Sequence, residues 1–201
     1  MRALVFDGQA SLRDEYPRPS LAKGEALVRV VAIGPECTGK TWLSQQLAAH
    51  YRCRWSAEYA REFVERSGRP VVVADVEAIG RGQLVNEERA IDSARGGGGR
   101  LVVHDTDLVS TRIYSEHYFG ECPAWIGDAG LARLPALYLL HEIDVPWTGD
   151  GDQREEPERR GELRERFRVA VVQSGAAWAV IEGGGEERRR RAIEAVDRRL
   201  R

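Results

Sequence analysis

An α/β fold, a parallel sheet with helices packed on both faces, is predicted by three features of the sequence. Short apolar runs alternate with longer segments of helical periodicity, the order expected of successive strand, helix and strand units. One run, Leu101-Val102-Val103, is apolar throughout and stopped by polar residues, which suits a strand buried on both faces. The third feature is Gly34-Pro35-Glu36-Cys37-Thr38-Gly39-Lys40-Thr41, a glycine-bearing loop between an apolar run and an amphipathic segment.

Taken in order, Arg2 to Phe6 and Ala26 to Ile33 are strand-like, and the polar, proline-bearing stretch Asp14 to Gly24 separates them. They read as a hairpin or extended arm leading into a buried strand. Trp42, Leu43, Leu47 and Ala48 recur at helical spacing and place a helix over Thr38 to Ala49. A short run at Cys53 to Ser56 precedes a helix over Glu58 to Arg66, and Val71 to Val73 follows Pro70. An amphipathic helix over about Asp75 to Arg95 is ended by the glycines 96 to 99. Helices are expected near Leu108 to Tyr118 and Pro123 to Leu134, then a strand at Ala136 to Leu140. Asp144 to Arg160, rich in Gly, Pro, Asp and Arg, reads as an exposed segment. Leu163, Phe167, Ala170 and Val171 mark a helix face, Ala177 to Ile181 a strand, and Ala192, Ile193, Val196 and Leu200 a last helix.

With 201 residues the chain suffices for one substantial core, organised as an arm over 1–26 and a main domain over 27–201. Its 30 basic and 32 acidic residues leave a formal charge of -2, so no global field holds nucleic acid or an anionic membrane. The tract Arg188 to Arg191, flanked by Glu186, Glu187 and Glu194, reads as a solvated helix face. No stretch approaches the roughly 20 apolar residues that cross a bilayer, and no secretory leader pattern opens the chain, so a cytoplasmic address is expected. Cys37, Cys53 and Cys122 form no CxxC pair, which suggests neither a disulfide framework nor a zinc site.

The loop is where chemistry is expected. A triphosphate needs many donors around a small anion, and a glycine-rich turn supplies N–H groups that the dipole of the next helix reinforces. The spacing GxxxxGK[ST] between strand and helix marks a phosphate-binding P-loop, and with it a P-loop NTPase three-layer sandwich. Gly34, Pro35, Glu36, Cys37, Thr38 and Gly39 are expected to wrap the phosphates, Lys40 to neutralise the β- and γ-phosphates, and Thr41 to ligate magnesium. The end of the Leu101 strand offers Asp105 as the carboxylate beside that ion. ATP and Mg2+ are thus the expected cofactors.

Transfer of the γ-phosphate to a hydroxyl needs a carboxylate to take its proton, and Glu58 and Asp107 are both candidates. Tyr59 and Arg61 beside Glu58 could contact a polar substrate. In the Asp144 to Arg160 segment, Trp147 and the flanking charges suit a lid, with Arg154, Arg159 or Arg160 meeting the charge that develops in transfer.

These marks, in this order, resemble the kinase domain of the NAD-biosynthesis regulator NadR and the related AAA-labelled ATPase and kinase domains. The match covers about residues 31 to 200, through the Gly34 loop, Glu58-Tyr59-Ala60-Arg61-Glu62, Gly82-Gln83, Asp105-Thr106-Asp107, and Asp144-Val145-Pro146-Trp147 with Asp150-Gly151 and Arg154. The resemblance implies a nucleoside-kinase-like fold and transfer from ATP to the ribose 5′-hydroxyl of nicotinamide riboside, giving nicotinamide mononucleotide. It also implies Gln83, Trp147 and Asp150 as substrate contacts. No helix-turn-helix or HxGH is visible, so a regulator or a two-step enzyme is not expected. Residues 1 to about 33 resemble instead the start of medium-chain zinc-dependent alcohol dehydrogenases, but no GxGxxG follows.

The expected function is therefore a small-molecule kinase acting on nicotinamide riboside. A kinase of another nucleoside or vitamin-like alcohol, and a nucleotide-binding ATPase or switch without an acceptor, stand as alternatives.

Overall fold

The computed structural model describes residues 26–146 and 159–201. The arm expected over 1–26, except its last residue, lies outside the described residues, as do Trp147, Asp150 and Arg154.

Five strands carry the short apolar runs: β1 (Val28–Ile33), β2 (Arg54–Ser56), β3 (Leu101–Asp105), β4 (Leu137–His141) and β5 (Trp178–Ile181). They form one parallel sheet in the order β2-β3-β1-β4-β5. Seven helices connect them: α1 (Lys40–Tyr51), α2 (Tyr59–Ser67), α3 (Val76–Gly96), α4 (Leu108–Phe119), α5 (Ala124–Ala132), α6 (Arg160–Ser174) and α7 (Gly185–Leu200). Among the described residues no helix is long and apolar enough to cross a membrane.

The period-two geometry of a strand sends neighbouring residues to opposite faces, and both faces of the central strand are covered. Val30 packs with Leu43 and Leu47 of α1 and Ala192, Ile193 and Val196 of α7. Its neighbour Val31 packs on the other face with Ile113 of α4 and Phe167 and Val171 of α6. That is the expected three-layer α/β architecture.

Several boundaries differ from the sequence reading, each for a physical reason. α1 starts at Lys40, not Thr38, because the backbone up to Gly39 (φ 79°) is committed to the loop. Glu58 lies just outside α2 with extended dihedrals. β3 runs past its apolar core through His104 and Asp105, which still pair with Val31 and Ala32 of β1. Strand continuation into polar residues is possible because Ser56 Oγ and His104 Nδ1 lie 2.7 Å apart inside the sheet. Burial and the charges of Arg29 and Arg133 push the His104 pKa down to about 3, so the ring is neutral. α7 begins well before its apolar positions, supported by pairs such as Arg189 with Glu186 and Arg190 with Glu194. Arg188 departs from the solvated face expected of its tract: it is 2% exposed.

A buried charged group sits behind the sheet's β3 side. Glu87 of α3, 1% exposed, accepts from Arg29 Nη2 at 3.2 Å, and Arg133 lies 3.9 Å away. Burial, then the charge of Asp107, outweigh both arginines and push its carboxyl up from 4.5 to about 7. The folded state therefore keeps a proton that the unfolded chain releases near pH 4.5, so this contribution is complete below that pH and is lost as pH rises towards 7. Chemical unfolding of wild type and Glu87→Gln at about pH 5 and about pH 8 should show wild type losing on the order of 3 kcal/mol relative to the variant. Parallel pH curves would contradict this.

Candidate active site

The loop expected to bind phosphate leaves the carboxyl end of β1 and enters α1. Gly34 is held at φ 141°, where a Cβ would stand 3.1 Å from both Cβ and O of His141. The close approach of β4 thus requires glycine there, on space as well as conformation. Cys37 and Gly39 also take positive φ, 53° and 79°, and this turns successive N–H groups towards one concavity. α1 has no side-chain cap and no acidic residue in its first turn, so its positive end is open to an anion. Thr38 Oγ1 donates to Pro35 O at 2.8 Å, and Lys40 Nζ donates to the same carbonyl at 2.6 Å. The ammonium is thereby folded back along the loop, and Lys40 as a residue is 8% exposed.

Beside the loop, Thr41 Oγ1 donates to Asp105 Oδ2 at 2.5 Å, while Asp105 Oδ1 is buried with no hydrogen-bond partner among the described residues. A carboxylate oxygen left open beside a hydroxyl fits a small hard cation that keeps most of its ligands as water and phosphate. The magnesium implied by the motif is therefore compatible with these residues. Burial first and the charge of Glu58 second push Asp105 up to about 6, against the opposing effects of Lys40, the Thr41 hydrogen bond and Arg61.

Glu58 also lines a pocket that is open to solvent. Ala60, Val71, Val76 and Ile79 contribute an apolar wall, and α4 contributes Ser110, Thr111, Ser115, Tyr114, Tyr118 and Phe119. Two of these side chains reach the phosphate loop: Tyr114 Oη donates to Gly34 O at 3.0 Å, and Tyr118 Oη donates to Glu36 Oε1. The two rings stack with centroids 6.2 Å apart. One helix face thus forms both a pocket wall and a brace for the loop. Helical periodicity revealed α4 but not this use of its polar face; Thr111, Tyr114, Ser115 and Tyr118, three to four residues apart, were the available signal.

On the opposite side the loop is held by α7. Arg188 Nη1 donates to Thr38 O at 3.1 Å and to Ile181 O at 3.2 Å, and His141 Nδ1 lies 2.9 Å from the same Thr38 carbonyl. Arg188 Nη2 pairs with Asp144, which accepts from Gly183 N at 2.6 Å. Burial pushes the His141 pKa down to about 3, with Arg188 and Lys40 adding to the effect.

The residues expected in the site divide as follows. Gly34 to Thr41, Asp105, Glu58 and Arg61 come together. Asp107 does not face the pocket as an open carboxylate: it caps α4, Oδ1 accepting from Ser110 N at 3.0 Å and Oδ2 from Tyr138 Oη at 2.8 Å. Tyr59 packs its ring against Gly82 and does not line the pocket, while Gln83 lines it with its amide engaged by protein partners. Arg159 sits at the start of α6, its Nε 3.4 Å from Glu162.

Comparison with known proteins bears on the family and the fold. A family model described as AAA domain matches residues 29–189. A NadR protein in complex with NR superposes with a TM-score of 0.72 and 23% identity, covering 87% of this chain and 51% of that one. A NadR protein in complex with NAD and AMP-PNP gives 0.69 and 23%, covering 87% and 49%. Thymidylate kinase from Ehrlichia chaffeensis gives 0.63 and 13%, covering 86% and 98%. The chain thus spans about half the length of the NadR chains and shares with all three the P-loop kinase fold. With a family match across most of its length, the chain belongs to the AAA domain family.

Proposed function

We propose that the protein is an ATP-dependent kinase of a nucleoside, with nicotinamide riboside as its acceptor and the ribose 5′-hydroxyl as the site of transfer. The observation that carries this reading is Glu58: a carboxylate just after β2 lines an open pocket together with Thr106, the residue that follows Asp105. A pure ATPase or switch has no need of a proton acceptor on the wall of a pocket lined by hydroxyls and apolar side chains.

The steps follow from the side chains. Lys40 leaves the Pro35 carbonyl for the β- and γ-phosphates, and the open end of α1 receives the phosphate oxygens. Thr41 and Asp105 would hold magnesium, whose charge when bound offsets that of the triphosphate. Glu58 orients the acceptor hydroxyl and takes its proton as the oxygen attacks the γ-phosphorus, while the bond from that phosphorus to the bridging oxygen of the β-phosphate breaks and ADP leaves. The hydroxyls of Ser110, Thr111 and Ser115 offer partners to a sugar, and the aromatic and apolar wall suits a flat ring.

Among the described residues the pocket lining holds one carboxylate and no lysine or arginine. An acceptor already carrying a phosphate would meet repulsion there, which favours a nucleoside over a nucleoside monophosphate. The fold neighbours solved with NR and with AMP-PNP support the riboside and the adenine nucleotide respectively. A coupled ADP-release assay with magnesium-ATP, run with nicotinamide riboside, a nucleoside panel and the corresponding monophosphates, tests the acceptor. Stimulation by the riboside above all others is expected. Stimulation only by a monophosphate would overturn the acceptor class.

A further inference from the structure

Gly82 and Gln83 of α3 stand between the two strand ends that carry Glu58 and Asp105, although neither residue is close to them in sequence. Gln83 is 1% exposed and its amide is used from both ends. Oε1 accepts from Tyr59 N at 3.0 Å; Nε2 donates to Thr106 O at 3.3 Å and to Glu87 Oε1 at 3.4 Å. Both amide protons and one oxygen lone pair are thereby committed, which leaves little for a substrate. Gly82 completes the contact: a Cβ there would fall 2.1 Å from Cε1 of the Tyr59 ring, so only glycine admits that ring.

The two groups that Gln83 joins are those that need fixing. Tyr59 is the first residue of α2, and its N–H directly follows Glu58, whose own side chain makes no capping hydrogen bond to the helix. Thr106 directly follows Asp105 and is held at φ 67°, a conformation unfavourable for a β-branched residue that persists only where surroundings enforce it. Its N–H donates to Ala32 O at 3.1 Å on one side, and its carbonyl meets Gln83 on the other.

We propose that Gly82-Gln83 is the positioning element of the proton acceptor: it clamps the first turn of α2 to the peptide after Asp105, setting the separation between Glu58 and the phosphate loop. The proposal rests on the reading of Glu58 given above and gives Gln83 a positioning role in place of the expected substrate contact. Gln83 acts here through Glu58, so removing both should cost no more than removing Glu58 alone.

The experiment is steady-state kinetics with magnesium-ATP and nicotinamide riboside on Gln83→Met, Glu58→Gln and the double variant, with ATP affinity and thermal melting measured alongside. Gln83→Met should lower kcat on the order of 10- to 100-fold, the scale of a misplaced catalytic group, with the riboside KM within about two-fold and ATP affinity unchanged. The double variant should be no slower than Glu58→Gln. A raised riboside KM with kcat preserved, or multiplicative losses in the double variant, would overturn the proposal. Wild-type turnover in Glu58→Gln would instead sink the underlying assignment of the proton acceptor, and the proposal with it.

A second pair guards against misfolding of the methionine variant. Gly82→Ala adds a good helix former but drives Tyr59 from its seat; it should lower kcat in the same manner, and adding Tyr59→Ala should return kcat to the level of Tyr59→Ala alone. Persistence of the Gly82→Ala loss in that double variant contradicts the clamp.

Discussion

Lys40→Ala is expected to abolish useful turnover, lowering kcat/KM for ATP by about 10²- to 10³-fold or more, the scale for removing one charged transition-state donor. Lys40 is 8% exposed, and among the described residues its ammonium bonds only along its own loop, to Pro35 O at 2.6 Å. That bond is local and satisfies a single carbonyl, so the side chain is available to exchange it for an incoming phosphate. Truncation removes the one cation in the loop while leaving the Gly34, Cys37 and Gly39 backbone turns that shape it. ATP affinity should fall with kcat, and the melting temperature should barely move. Near-normal ADP release from this variant would remove the phosphate-binding role.

The second large effect distinguishes two carboxylates that look equivalent in the sequence. Glu58→Gln should lower kcat by about 10²- to 10⁴-fold, the usual contribution of a general base, while ATP binding and melting temperature are retained. Glu58 is half-buried on the pocket wall, and its side chain caps nothing in α2. Asp107→Asn should do the reverse. The asparagine oxygen can still cap Ser110, but its amide cannot accept from the Tyr138 hydroxyl, which is buried beside it. The asparagine amide can donate to Tyr138 Oη in turn, but leaving the hydroxyl proton without its acceptor costs about 1–3 kcal/mol, which shows as a lower melting temperature with turnover per folded molecule largely preserved. Equal losses of turnover in both variants would return Asp107 to the chemistry.

What the sequence made legible was local. Strand, loop and helix around Gly34 to Thr41 are contiguous, so spacing and periodicity alone placed the phosphate loop, and Asp105 followed from the end of an apolar strand. Asp107 and Gln83 were harder because their partners are distant in sequence. The Asp107 oxygen is taken by Tyr138, and the Gln83 amide joins Tyr59 to Thr106, each contact created by the packing of separate elements. Arg188 shows the same limit: four consecutive arginines read as one solvated face, yet the turn of α7 directs the first under the loop to Thr38 O. The pocket wall of α4 was invisible for a related reason. Periodicity reports which face is buried, whereas Tyr114 and Tyr118 serve the core, the pocket and the loop at once.

The picture that emerges is of a phosphate loop braced from two sides. α4 holds Gly34 O and Glu36 through tyrosine hydroxyls, and α7 holds Thr38 O through a buried guanidinium. Rigid bracing of this kind leaves the anion site preorganised, so that less reorganisation accompanies transfer. The proposed acceptor side is tied separately, Gln83 joining the residues that follow the ends of β2 and β3.

Transfer to a sugar hydroxyl, as opposed to water, is the central claim, and phosphorus NMR of the reaction with magnesium-ATP and nicotinamide riboside tests it most directly. The account predicts a new phosphomonoester signal coupled to the two 5′ protons of the ribose, growing in step with ADP. Growth of inorganic phosphate alone, with no phosphomonoester, would contradict the kinase and leave a nucleotide-hydrolysing switch.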